Sequence, residues 1–390
     1  MRTVDVNGLT VGDGHPPRVM SVLNVSTNSG YKPSVYLNPE EAVAFVERER
    51  RAGADIIDVG LQSANPKYDT EPPEVELDRL EDAARVIELA DDDVIFSLET
   101  RYSEVAEEGI ARGFDLINDV CGFADPRMPE VCEDHDVPVV KMASSTKLDR
   151  PGGVKTIDDA FEALKRGGFT SKTIIDPAFG GWYDGRTFED NWELFRRLRE
   201  FRAFKRPILT GTNREDFLGD LADQPETENQ LAVSLAAATM EVERGAHVIR
   251  THDTRETYDV VQVAHALGDE RTISTEGPVN VLEVPGVTLR EVTRHLDLAN
   301  ANGTVAAEVV TRSFVVGELG PVDMEELRTA GSACGVLVAE SGDDTGTFVT
   351  GTVANLRRLS DDIVGTSESL TEVAGSIRDS LARSTNSTVR

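Results

Sequence analysis

The chain is short of cysteine, of lysine and of long apolar runs, and each shortage excludes something. Its three cysteines, Cys121, Cys132 and Cys334, include no Cys-x-x-Cys pair. So sparse and odd a count argues against a disulfide framework and a structural zinc site, and fits a reducing, cytoplasmic compartment. No stretch reaches the roughly 20 apolar residues of a membrane span. The opening Met1-Arg-Thr-Val-Asp-Val6 has no signal-peptide apolar segment. Basic residues number 40 against 70 acidic, a net charge of −30. Neither nucleic acid nor an anionic membrane surface is therefore an expected partner, because both would be repelled. Only eight of the basic residues are lysines, and the acid is spread along the whole chain. That balance is a halophilic signature, since concentrated salt screens the self-repulsion.

What is present is a repeated unit. The hydrophobic share of 39% in 390 residues suffices for a core of about 250 residues plus a smaller unit. Eight short apolar runs each end in a polar cluster. Val19-Met-Ser-Val-Leu23 runs into Asn24, Asp55-Ile-Ile-Asp-Val59 into Gly60-Leu-Gln62, and Val94-Ile-Phe-Ser-Leu98 into Glu99-Thr100. Asp115-Leu-Ile117 runs into Asn118-Asp119, Val137-Pro-Val-Val140 into Lys141, and Thr173-Ile-Ile175 into Asp176-Pro177. Pro207-Ile-Leu209 precedes Thr210-Gly-Thr-Asn-Arg214, and His247-Val-Ile249 precedes Arg250-Thr-His-Asp253. Stretches of helical periodicity lie between the runs, as in Glu40 to Arg51 and Val75 to Leu89. Glycines such as Gly53, Gly113 and Gly245 stand where a helix must stop before the next strand.

This alternation predicts an α/β fold, a (β/α)8 TIM barrel over residues 1–270. An open doubly wound sheet competes, but it usually has five or six strands. In such a barrel the polar ends gather at the carboxyl-end mouth, where barrels place their chemistry. Residues 271–390 read as a smaller C-terminal α+β extension for packing or oligomerisation. Val281 to Pro285, Thr304 to Val310 and Phe314 to Gly317 lean toward strands there. Gly342 to Gly346 reads as a turn, Leu356 to Leu381 as one amphipathic helix, and Arg383 to Arg390 as a mobile tail.

Seven segments of residues 18–266, in order, resemble the motifs of the dihydropteroate synthases and their wider group of pterin-binding barrels. They are Met20-Ser-Val-Leu-Asn-Val25, Gly53-Ala-Asp-Ile-Ile-Asp-Val-Gly60, Ser97-Leu-Glu-Thr100 and Ile117-Asn-Asp-Val-Cys-Gly122 with Asp125-Pro-Arg-Met128 behind it. Ile175-Asp-Pro177, Gly211 to Gly219 and Arg250-Thr-His-Asp253 complete the series. The resemblance implies a transferase of folate biosynthesis. It would join a hydroxymethyl-dihydropterin diphosphate to an arylamine such as p-aminobenzoate and release pyrophosphate. It also implies roles. Glu99, Asn118, Asp176 and Arg214 would bind the pterin. Asn24, Arg250 and His252 would form the catalytic anion end, with Mg2+ held at Asn24. A homodimer is the expected assembly.

The chain also departs from that pattern. Glu215 stands where a lysine is usual. Gln62, Ala64 and Asn65 stand in the loop that receives the arylamine. Asn28 replaces an acid in the first loop, and Ala178-Phe-Gly-Gly-Trp182 lacks a customary lysine. Two alternatives follow: a methyl-tetrahydropterin-dependent methyltransferase working with a corrinoid partner, and a non-catalytic pterin-binding protein. Retention of Arg250 and His252 weighs against the first of these.

Overall fold

A computed structural model describes the chain except residues 1–2, 27–31, 65–67, 92, 181–184, 269–272, 275–280, 285, 318, 341–346 and 384–390. Two compact units form, Met1–Glu283 and Val284–Arg390.

The first unit opens with an antiparallel hairpin, β1 (Val4–Val6) and β2 (Leu9–Val11). Eight parallel strands follow: β3 (Arg18–Asn24), β4 (Ile56–Gly60), β5 (Ile95–Thr100), β6 (Leu116–Asp119), β7 (Val139–Met142), β8 (Thr173–Asp176), β9 (Leu209–Thr210) and β10 (Val248–Thr251). They pair in the order β8-β7-β6-β5-β4-β3-β10-β9, and a parallel bridge between Ile175 and Ile208 joins the two ends into a ring. The expected TIM barrel is therefore present. Every residue of β4 and of β5 is buried, which is why these strands read as continuous apolar runs rather than alternating ones.

Helices α1 (Pro39–Ala52), α2 (Pro73–Leu89), α3 (Ser103–Ala111), α4 (Met128–Asp134), α5 (Ile157–Lys165), α6 (Phe188–Arg196), α7 (Asp216–Leu221), α8 (Leu231–Glu243) and α9 (Thr254–Leu267) connect the strands. The ends of α1 show what sets them. The Asn38 carboxamide oxygen accepts the Glu40 and Glu41 N–H groups at the start of α1, offsetting donors with no partner inside the helix. Gly53 ends α1 at φ 109°. A Cβ there would also collide with the Tyr258 ring, so the site excludes any side chain on two counts.

One apolar layer sets the direction of the barrel. Val4, Val6 and Val11 of the hairpin pack on Met20, Ile56, Ile95, Leu116, Val140, Ile174, Leu209 and Val248, one residue from each barrel strand. The hairpin therefore plugs the amino end. Because strand residues alternate faces, positions two and four beyond that layer also point inward, toward the open carboxyl end. Those positions include Asn24, Asp58, Gly60, Ser97, Glu99, Asn118, Asp176 and Arg250. A short antiparallel pair, β11 (Ile273–Ser274) and β12 (Val281–Leu282), ends the unit.

The second unit contains α10 (Leu289–Leu298), β13 (Thr311–Val316), α11 (Pro321–Cys334), β14 (Leu337–Glu340), β15 (Thr347–Thr352), α12 (Val353–Ile363) and α13 (Glu368–Arg383). Its sheet is antiparallel, in the order β13-β15-β14, and packs Leu327, Val349, Leu356, Leu359, Ile363 and Leu370 into a separate core. Two expectations change here. Thr304 to Val310 is not a strand: a 3-10 turn spans Gly303–Glu308, started by the Asn302 side chain accepting from Thr304 N. Leu356 to Leu381 is two helices, broken where Gly365 takes φ 82°. The expected turn at 342–346 and the tail from 384 lie outside the described residues. Among the described residues no helix is long and apolar enough to cross a membrane.

Candidate functional site

At the carboxyl end, Asp58 ties four strands together. This carboxylate is fully buried. It accepts Ser97 Oγ at 2.7 Å, Asn118 Nδ2 at 3.0 Å and Arg250 Nε at 2.8 Å. Arg250 Nη2 reaches on to Glu99 Oε2 at 2.6 Å. The strand register sets Asp58 beside Ser97 and, two residues on, Asn24, Gly60, Glu99 and Asn118 at one level. Asp176 lies in the field of Arg250 and Asp58, and its Oδ1 accepts the Ala178 N–H at 2.7 Å.

The electrostatics of the cluster are uneven. Burial pushes the Glu99 carboxyl up to about 7, Arg250 opposes that rise and the Asp58 charge adds to it. Burial likewise pushes Asp176 up to about 6, against the Ala178 N–H and the charges of Arg250 and Arg186. Burial works against the charge on Arg250, but Glu99 and Asp58 outweigh it and hold the guanidinium protonated above its ordinary range. His252 moves the other way: burial and then the Arg250 charge bring it down to about 3. The ring is therefore neutral near pH 7 and offers one N–H and one lone pair, not a charge.

Other expected site residues are held differently. Arg214 does not join the Asp58 cluster. It forks onto Asp253, Nε to Oδ2 and Nη2 to Oδ1, both at 2.8 Å, and also donates to Thr227 O at 2.6 Å. Asn213 completes that turn, donating to Asp253 and accepting the His252 N–H. Asn24 Nδ2 donates to Ser34 Oγ at 3.0 Å, while its Oδ1 lies 2.9 Å from where a Gly60 Cβ would stand. Glycine at 60 leaves that oxygen room. Among the described residues no group of three or more His, Cys, Asp or Glu is arranged to hold a metal ion. A lone carboxamide oxygen suits Mg2+ that arrives on a diphosphate, because Mg2+ keeps most of its ligands from water and phosphate.

Three features escaped sequence reasoning. Asp58 was hidden as an acid inside an apolar run, although an inward position in a barrel strand is a signal. Lys141, a polar strand end, turns away from the mouth. Its neighbour Val140 fills the inward layer, so Lys141 points outward and donates to the Leu164, Arg166 and Gly168 carbonyls behind α5. The loop after β8 does carry a cation, Arg186, which donates to Ala178 O. Among the departures, Gln62 braces its loop, accepting Glu71 N and donating to Glu71 O and Glu76. Asn28, Asn65 and Trp182 lie outside the described residues.

Comparison with known proteins agrees with this geometry. The family model for pterin binding enzymes matches residues 20–252. Dihydropteroate synthase of Escherichia coli K12 is 30% identical over 262 residues, covering 64% of this chain and 91% of the relative. A probable bifunctional folylpolyglutamate synthase/dihydropteroate synthase of Halobacterium salinarum is 33% identical over 270 residues, 65% of this chain. The alignment covers only 32% of that longer relative. Among solved structures, a dihydropteroate synthase from Coxiella burnetii in complex with pteroic acid superposes with a TM-score of 0.57 at 28% identity, over 68% of this chain and 98% of that one. The Xanthomonas albilineans enzyme with 4-aminobenzoic acid gives 0.57 at 30% identity, over 68% and 97%.

Proposed function

Because the chain belongs to the dihydropteroate synthase family of pterin-binding enzymes, we propose that it joins a hydroxymethyl-dihydropterin diphosphate to an arylamine and releases pyrophosphate. The observation that carries this reading is the Asp58-centred cluster, which gathers Glu99, Asn118 and Arg250 at the barrel mouth with Asp176 beside it. A pterin presents an aminopyrimidinone edge of donors and acceptors. The Asp176 carboxylate and Asn118 carboxamide suit that edge. Solved relatives bound to pteroic acid and to 4-aminobenzoic acid support both substrate classes.

In the reaction, the bond from the pterin methylene carbon to the diphosphate oxygen breaks. The arylamine nitrogen bonds to that carbon and gives up a proton. The site has little nucleophile to activate, so its contribution is alignment of the partners and stabilisation of departing charge. Arg250 offers a planar fork to diphosphate oxygens, and neutral His252 offers one further N–H. Arg214, held on Asp253, positions the turn that carries His252. Asn24 would hold Mg2+, which supplies charge neutralisation for the diphosphate when bound. The reading includes a cytoplasmic homodimer acting in concentrated salt, supported by the cysteine and charge usage for the compartment and medium.

Mixing the protein with a pterin diphosphate and p-aminobenzoate should release pyrophosphate, and Arg250→Ala should remove most of that release. The same change should weaken binding of the diphosphate far more than of the pterin alcohol. Pterin binding with no pyrophosphate release by the unaltered protein would instead favour the non-catalytic reading.

A further inference from the structure

The turn after β8 is built around a strained residue. Ala178 adopts φ 61°, a left-handed conformation that costs an alanine about 1 kcal/mol and persists only where surroundings impose it. Its N–H donates to Asp176 Oδ1 at 2.7 Å. Its carbonyl accepts from Arg186 Nη1. The same Nη1 lies 3.4 Å from Asn191 Oδ1, and that oxygen also receives the Gly180 N–H at 3.3 Å. Arg186 Nε reaches Lys155 O at 3.4 Å.

The facing strand end closes over this turn. Phe217 stacks on Phe179 with centroids 6.5 Å apart. The Glu215 carboxylate fills the space where a Cβ at Gly180 would stand. Four carboxylates, of Asp190, Glu215, Asp176 and Asp159, act on the Arg186 charge. Arg186 Nη2 is nonetheless buried and has no hydrogen-bond partner among the described residues.

We infer that Arg186 is a positioning residue for Asp176. It locks the left-handed Ala178 turn from behind, so that the Ala178 N–H holds the Asp176 carboxylate in place, and the Glu215 carboxylate packs against the same turn at Gly180. This rests on the reading of Asp176 as the pterin-binding carboxylate. It also gives Glu215 a place: an acid at this position faces a cation from the loop opposite.

The test is a double-mutant cycle read by calorimetry with 6-hydroxymethyl-dihydropterin, using the full chain. Arg186→Met is expected to weaken pterin binding about tenfold. In an Asp176→Asn background the same change should matter less than about threefold, because Arg186 acts through that carboxylate. Arg186→Lys retains a cation that can reach the Ala178 carbonyl and should recover most of the loss. Glu215→Gln should weaken binding severalfold and lose its effect in the same background. If Arg186→Met lowers the melting temperature, Arg186→Lys and Glu215→Gln carry the test. Equal losses in both backgrounds, or unchanged affinity in Arg186→Met, would overturn the inference alone. Absence of pterin binding by the unaltered chain would overturn the functional reading and this inference with it.

Discussion

Replacing Asp58 by Asn removes one charge and almost no volume, so it isolates what the central carboxylate does. Asp58 receives three hydrogen bonds in a fully buried position. With its amide oxygen at the Oδ2 position, Asn can still accept from Asn118 and Arg250 while its NH2 group faces the Ser97 hydroxyl, so what is lost is the negative charge opposite Arg250. A hydrogen bond between charged groups contributes about 1.5–3 kcal/mol. Orphaning a buried ion costs about 3–5 kcal/mol, and that is a ceiling here because Glu99 remains on Arg250 at 2.6 Å. The expected loss is about 2–3 kcal/mol at pH 8. Its pH dependence is more diagnostic. Glu99 titrates near 7, chiefly through burial, and Asp58 helps hold it there. A raised carboxyl value means that folded protein binds protons more readily than unfolded protein. Stability is therefore lost as pH rises from about 4.5 through about 7. Without Asp58 the Glu99 value should fall, because the charge that raises it is gone while Arg250 stays. At pH 5 native Glu99 is protonated and sets no charge against Arg250, so the variant should lose more stability at pH 5 than at pH 8. Urea unfolding at both values, with a carbon NMR titration of the Glu99 carboxyl, measures this. A loss below about 0.5 kcal/mol, or a Glu99 midpoint that stays or rises, would refute the reasoning.

Two further changes probe charges away from the ligand. Glu241 is buried beneath β9, accepts the Thr210 and Thr212 hydroxyls, and is pushed by burial up to about 7; Glu241→Gln should stabilise by about 1–2 kcal/mol at pH 8 and by nothing measurable at pH 5, as urea unfolding at the two values would report. Lys141→Met leaves three carbonyls behind α5 without their donor and should cost about 2–4 kcal/mol in thermal unfolding, while pterin affinity by calorimetry stays unchanged.

Much of the architecture was already determined by the order of residues. Strands buried on both faces must be continuous apolar runs, and a residue such as Gly53 that stops a helix must tolerate a left-handed backbone, so the eight βα units were legible without coordinates. Local signals also located Asn24, Glu99, Asn118, Asp176 and Arg250 at strand ends. Which strand-end side chains face one another was not a local property. Asp58 and Lys141 are both polar residues in apolar strands, yet one centres the site and the other serves a helix behind it. The difference is the phase of each strand: Ile56 and Val140 both fill the inward layer, so Asp58, two residues on, points in, and Lys141, one residue on, points out. Arg214 and Arg186 make the same point for loops. Both are arginines beyond a strand end, and only the packing of neighbouring turns puts one on Asp253 and the other behind Ala178. Phase and loop contact are set when strands pair and the ring closes, and a chain read residue by residue has no record of its neighbours across the barrel.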